Sequence, residues 1–264
     1  MNRHALAWLA VLLLVVAGGC HSAPLAPPPR LRATAPEVMA RLEARQAALK
    51  AFQGKGRLTF LSPERNYSGA CLLSGQIPDT LRVDVRDILG RSLLSLSASG
   101  QQMQVLFPQE GKLFKGRATP KLMAVFLPPT VTLPQAVRLL AGALPLSQGQ
   151  PSGFRLDEAQ SCYVLEWSNA TGGPQERLWV EAASGNPVRS EWHGDGPELK
   201  FSADLVDYGQ LATGLPGKVT VKTANPQMEL RLTYQELRLN PPLPAQHWDI
   251  EPPPGVAVLR LDKE

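Results

Sequence analysis

The chain has 264 residues, with 27 Lys and Arg against 23 Asp and Glu and 44% hydrophobic side chains. That length and apolar content allow one large β domain or two small ones. The surplus of four positive charges is spread without a basic block, which excludes the electrostatic footprint of a nucleic-acid binder.

Met1-Asn2-Arg3-His4 is a short positive start, and Ala5–Val16 follows without a charge. A membrane-spanning helix needs about 20 apolar residues, so this run is too short to cross. It has the length of the apolar region of a signal peptide. It ends in Ala17-Gly18-Gly19-Cys20, small residues before a cut and a cysteine after it. The segment resembles the bacterial lipobox, with Ala17 where Leu is usual. The resemblance implies cleavage after Gly19 and acyl chains on Cys20, which make membrane lipid a partner. One acyl chain anchors only marginally at ~0.8 kcal/mol per buried methylene, whereas more than one holds durably. His21 stands where Asp favours retention in the inner membrane of enterobacteria, and so implies the outer membrane. The alternative is an ordinary secreted protein whose cysteine stands at the cut by chance. Cleavage removes Arg3 and leaves a surplus of three positive charges.

Residues 20–35 hold Cys20 and a Pro- and Ala-rich stretch with no apolar period, expected as a tether. Fully extended, such a segment reaches ~50 Å. The folded domain is expected from residue 36 to 264. Pro36 to Phe52 reads as a helix, with Pro36 in its first turn and Val38, Leu42, Leu49 and Phe52 on one stripe. Gly54 and Gly56 are expected to end it. Leu58 and Phe60 then alternate, and Tyr67–Leu73 forms a second run. Leu81, Val83 and Val85 alternate with Arg82, Asp84 and Arg86, the pattern of a half-buried strand. Asp87-Ile88-Leu89-Gly90 is a turn carrying two apolar residues. Leu93–Ser97 and Met103–Phe107 continue the meander.

The middle differs. Thr119-Pro120 opens a short helix with Leu122, Met123, Phe126 and Leu127 apolar, and Pro128-Pro129 stops it. Thr132 and Gln135 have the spacing of a capping box, and Leu133, Val137, Leu140 and Leu144 make one face of the next helix. Strands resume at Cys162–Trp167, Arg177–Glu181, Val188–Trp192, Leu199–Tyr208, Lys218–Thr223 and Met228–Leu239. The Pro-broken stretch from Trp248 to Leu261 is expected along a sheet edge. The fold class is mostly β, with about ten strands in serial antiparallel order interrupted once by helices.

No catalytic constellation stands out. The four histidines have no metal-ligand spacing, there is no C-x-x-C, and Gly54-Lys55-Gly56 lacks the rest of a phosphate loop. The expectation is a protein that is not an enzyme and carries no cofactor or metal. Cys71 and Cys162 remain beside Cys20, and an envelope compartment permits a disulfide between them. Two buried free thiols is the other reading.

The informative feature is a surplus of apolar helix. Alternation leaves one sheet face apolar, and the three helices are available to cover it. A tight seal gives an ordinary core. A gap gives a dry cavity shaped for acyl chains, where burying 14 methylenes contributes on the order of 11 kcal/mol before binding costs. The lining candidates are Val83, Leu94, Met103, Val105, Leu122, Phe126, Val137, Leu140 and Leu232.

Several local stretches bear a resemblance to the LolA/LolB family of lipoprotein carriers, and most to LolB. Phe52-Gln53-Gly54-Lys55-Gly56 resembles the passage from the family's first helix into its first strand. Leu81–Gly90 resembles a strand and turn ending in Leu-Gly, and Leu133–Pro145 resembles the helix with a Leu-x-Gly-x-Pro-like end. Asp207-Tyr208, Leu215-Pro216 and Asn240 fit the second half. The resemblance implies an unclosed β-barrel with a helical lid over a hydrophobic cavity. It also implies lipoprotein or lipid cargo, received from a periplasmic LolA-like carrier, and membrane insertion through Ile88 and Leu89. The competing reading is a non-catalytic scaffold lipoprotein of the envelope with a filled core. An envelope hydrolase is disfavoured by the missing motifs.

Overall fold

A computed structural model describes residues 33–63, 66–119, 123, 131–223 and 227–260. The signal segment, Cys20 and most of the tether lie outside these residues, as do Leu122 and Phe126. Of the short helix expected from Pro120 to Leu127, only Met123 is described, and it is helical and buried.

The first helix, α1 (Ala35–Ala48), starts where local chemistry places it. The Thr34 N–H donates to Glu37 Oε2 at 2.8 Å, and Pro36 sits in the first turn. Val38, Met39 and Leu42 point into the core. Ala33, inside the segment read as tether, already donates its N–H to the Tyr163 hydroxyl. The helix stops at Ala48, short of the expected Phe52, because strand β1 (Ala51–Leu61) takes the residues that follow. Pairing on both sides of β1 overrides helical propensity there. Gly54 and Gly56 therefore lie within a strand and end no helix. At Gly56 the register with the neighbouring strand shifts, and a Cβ would meet the Thr233 carbonyl oxygen at 2.2 Å.

After β1 the chain runs as a meander: β2 (Asn66–Gln76), β3 (Thr80–Arg86), β4 (Ser92–Ser99), β5 (Gln102–Phe107) and β6 (Lys112–Arg117). Helix α2 (Leu133–Leu140) follows, capped by Thr132 and Gln135 as expected but shorter than the Leu133–Leu144 read from the sequence. Gly142, at φ +76, turns the chain away. A second meander comprises β7 (Gly153–Asp157), β8 (Cys162–Ser168), β9 (Pro174–Glu181), β10 (Pro187–Trp192), β11 (Phe201–Val206), β12 (Lys218–Thr223) and β13 (Met228–Leu239). The last strand is β14 (Ala257–Arg260).

All of these strands join one sheet in the order β14-β6-β5-β4-β3-β2-β1-β13-β12-β11-β10-β9-β8-β7. The two meanders meet where β1 pairs antiparallel with β13, and the end strands β14 and β7 are not partners, so the sheet is unclosed. The described residues hold 14 strands, not about ten. β6 and β7 are added, and β14 lies on the edge, where the C-terminal stretch was expected. Its pairing with β6 is parallel, a departure from the serial antiparallel order.

The face under the helices carries the main core. Leu58, Leu73, Val85, Leu165, Leu178 and Leu232 all point to it with Val137 and Leu140 of α2. The opposite face holds two small clusters, Cys162–Val164–Trp179 and Leu106–Leu113–Ile250. Ile250 belongs to a C-terminal strap across β3 to β6. The Arg82 guanidinium holds that strap by donating to the carbonyls of His247 at 2.7 Å and Asp249 at 2.9 Å. Cys71 and Cys162 are both buried and free, and they belong to different clusters.

Candidate functional site

Beneath Met123 and α2 lies a pocket lined almost wholly by apolar atoms. Strands β1 to β5 and β13 build its floor, with Leu58, Leu81, Val83, Leu96 and Leu230 among the lining side chains. Phe60 and Tyr67 pair across β1 and β2 and stack at 5.6 Å between ring centroids. Met123, Leu133 and Leu140 close the other side. Its free volume is about 50 Å³. Ligand pockets for small molecules run roughly 300–1,000 Å³, so in this state the pocket is nearly filled.

The α2 end is fixed over the pocket from below. The buried Tyr234 hydroxyl donates to the Leu140 carbonyl, one of the helix-end acceptors that lack a partner within the helix. Burial raises the Tyr234 pKa well above the ordinary phenol value, which keeps the hydroxyl a donor. Cys71 lies on the same buried side, and burial pushes its thiol up to about 12, so it stays protonated and unreactive.

The β3–β4 turn projects from the sheet at one end of this pocket. Ile88 is 90% exposed and Leu89 71% exposed. The turn is rigid nonetheless. Asp87 Oδ1 accepts from the N–H groups of Leu89 at 2.8 Å and Arg91 at 2.9 Å, and Oδ2 accepts from Arg91 Nε at 2.7 Å. Partial desolvation pushes the Asp87 pKa up, but these bonds outweigh it and hold the carboxyl below its usual range. Gly90 supplies the positive φ of +78 that closes the turn. Val85 and Leu94, a cross-strand pair that lines the pocket, stand three residues on either side of Ile88–Arg91.

Of the lining residues expected from sequence, Val83, Leu94, Met103 and Leu140 meet at this pocket. Val105, Val137 and Leu232 are buried in the same core without lining it. Leu122 and Phe126 lie outside the described residues. Leu81, Val85, Leu96 and Ala98 also line the pocket, and each shares strand parity with an expected lining residue, Val83 or Leu94. Leu133 lines it as well, on the same helical face as the expected Val137 and Leu140.

One buried acid stands apart. Glu176 on β9 is 1% exposed, with the Ser147 N–H at 2.7 Å from Oε2 and the Ser190 hydroxyl at 3.4 Å from Oε1. Burial pushes its pKa up to about 7 against those hydrogen bonds. Among the described residues no three His, Cys, Asp or Glu side chains gather as a metal site.

A LolA superfamily protein from Nitrosomonas europaea superposes with a TM-score of 0.54 at 14% identity, covering 83% of this chain and 98% of its own. The fold is LolA-like. An outer membrane lipoprotein-sorting protein domain from Vibrio parahaemolyticus shares the LolA-like fold with a TM-score of 0.51 at 11% identity, over 81% of this chain and 95% of its own. A DUF1329 family protein from Desulfovibrio piger does so at 0.54 and 9% identity, again over 81% and 95%. No protein-family model and no curated relative matches the sequence.

Proposed function

We propose that this LolA-like chain is an outer-membrane lipoprotein, anchored through Cys20 and facing the periplasm, that takes up acyl chains of lipoprotein or lipid cargo. The cargo enters beneath Met123 and α2, and the Ile88–Leu89 turn passes it to the membrane. A periplasmic LolA-like protein is the fitting donor. The single observation that carries this reading is the placement of a rigid, apolar, exposed turn at the end of an apolar pocket. Burying Ile88 and Leu89 in a bilayer contributes ~3–6 kcal/mol before costs. Arg86 and Arg91, both exposed, flank the tip and suit anionic headgroups. No bond-making step belongs to this function.

The nearly filled pocket favours a second reading, a scaffold lipoprotein whose core is complete. On the carrier reading, the cover formed by Met123 and α2 shifts to admit a chain. Two measurements separate them. Organic extraction of the purified parent and of Ala98→Leu, which fills the pocket, followed by mass spectrometry, finds acyl species that the variant loses for a carrier and no such loss for a scaffold. Leu89→Glu leaves the melting temperature unchanged and lowers cargo transfer to liposomes at least ~10-fold, since a charge replaces a side chain contributing ~2 kcal/mol or more. No such loss, together with transfer indifferent to Leu89, rejects the carrier.

A further inference from the structure

A roomier cavity lies elsewhere, where the C-terminal end of α1, residues 142–146 beyond α2 and the turn at 208–215 converge. Its volume is about 280 Å³, against about 50 Å³ beneath Met123. Leu42, Leu49, Leu144, Leu146, Leu215 and Leu239 give it an apolar interior. Among the described residues of the lining, Arg45 carries the charge.

The walls are pinned by hydrogen bonds, so the space is not a loose gap between loops. Gln46 Nε2 donates to the Leu144 carbonyl at 2.6 Å, and Arg138 holds Gln46 Oε1 at 3.3 Å. Asn240, at φ +52, accepts from the N–H groups of Lys50 and Ala51 and donates to the Ala48 carbonyl at 2.9 Å. Tyr208 bonds the Pro187 carbonyl. A packed interior keeps few voids larger than a water molecule.

The charge at the rim is specific. Arg45 spends one N–H on Asn186 Oδ1 at 2.7 Å, and a guanidinium has five. Its planar fork matches a carboxylate or a phosphate. Glu181 lies outside the lining and accepts the Ser184 hydroxyl. A leucine-rich interior with the Arg45 guanidinium at its lip is the complement of an anionic amphiphile.

We propose that this cavity binds a single acyl chain ending in an anion, with the tail among the leucines and the headgroup on Arg45. It is a second site, with walls separate from those of the pocket beneath Met123, and stands whether or not that pocket opens. The test is calorimetric titration of the chain from His21 onward, made without the signal segment and Cys20, so that neither an anchor nor the apolar leader competes. The probes are myristate, myristoyl lysophosphatidylglycerol and 1-tetradecanol, each below its aggregation concentration. The expected result is one site per chain for an anionic probe, weakened about ten-fold or more in Arg45→Gln, with the alcohol weak and indifferent to that change. The tighter anion identifies the source, a free fatty acid or a lysolipid. Leu215→Trp, which fills the cavity, abolishes binding, whereas Ala98→Leu in the pocket beneath Met123 leaves it unchanged. Circular dichroism confirms that each variant folds, and Arg45→Gln changes an exposed side chain. No binding, equal affinity for the alcohol, indifference to Arg45→Gln, or loss in Ala98→Leu alone would overturn the assignment.

Discussion

Glu176 provides a quantitative test of the interior. Its carboxyl is raised from 4.5 to about 7 by burial. Below pH 4.5 both folded and unfolded chains hold the proton, and the shift has no effect on stability. Between pH 4.5 and about 7 the unfolded chain has lost the proton while the folded one keeps it, so stability falls as pH rises. Above about 7 the loss is complete. A shift of this size corresponds to about 3 kcal/mol at 1.36 kcal/mol per unit. Glu176→Gln removes the titration and keeps the acceptor for the Ser147 N–H. Its new amide donor has the Ser190 and Ser147 hydroxyls within the same buried site. Urea denaturation of parent and variant at pH 5, 6, 7 and 8 isolates this group, because the other carboxylates cancel in the difference. The variant is expected to match the parent near pH 5 and to exceed it by about 3 kcal/mol at pH 8, or ~6–12 °C in melting temperature. A difference that stays constant across that range would refute the reasoning.

Other substitutions probe the cover and its frame. Tyr234→Phe leaves the Leu140 carbonyl buried without its donor and is expected to cost ~1–3 kcal/mol in chemical denaturation. The same change should speed hydrogen exchange at the end of α2, and unchanged exchange means that the bond does not hold the cover. Asn240→Ala removes three hydrogen bonds around the end of α1 and places a Cβ without the asparagine's local bonding at φ +52. A loss of ~2 kcal/mol is expected, with Asn240→Gly recovering only the backbone part. Gly75→Ala would bring a Cβ to 2.2 Å from Phe52 Cε1, and overpacking of this kind costs ~1–3 kcal/mol. A variant as stable as the parent means that the Phe52 ring has room to swing away.

The carrier reading and the second cavity make different demands. Cargo uptake beneath Met123 requires movement, because the free space there is too small for a chain. The cavity at Arg45 has walls of its own and about 280 Å³ of space, nearer to what a ligand needs. The two therefore respond to different variants, Leu89→Glu and Arg45→Gln, and neither result stands in for the other.

Where a structural choice is local, the residues announce it. The alternation of Leu81, Val83 and Val85 is enough for β3, because one face of that strand is buried and the other is not. Thr132 and Gln135 announce the start of α2 because a capping box is closed by neighbours three residues apart. The Asp87–Arg91 turn is equally local, since one aspartate satisfies its N–H groups. β6 escaped notice because Lys-Leu-Phe-Lys-Gly-Arg carries three charges, yet Leu113 packs on Ile250 from the distant strap. The end of α1 was misplaced for a similar reason. Phe52 continues a helical stripe in sequence, but Gly75 opposite leaves space for its ring in the sheet.

Sequence alone determined the alternating strands, the caps, the turn at Asp87–Gly90 and the lipobox-like start. These depend on side chains within a few residues of one another, or on a pattern with a fixed period. The exposure of Ile88 and Leu89 on that turn came from the structure. Only tertiary structure decided which apolar face turned inward, how much space was left there, and that Arg45 meets Leu144, Leu215 and Leu239. Volume is a property of what packs from opposite sides, and residues nearly two hundred positions apart carry no local sign that they will share a wall.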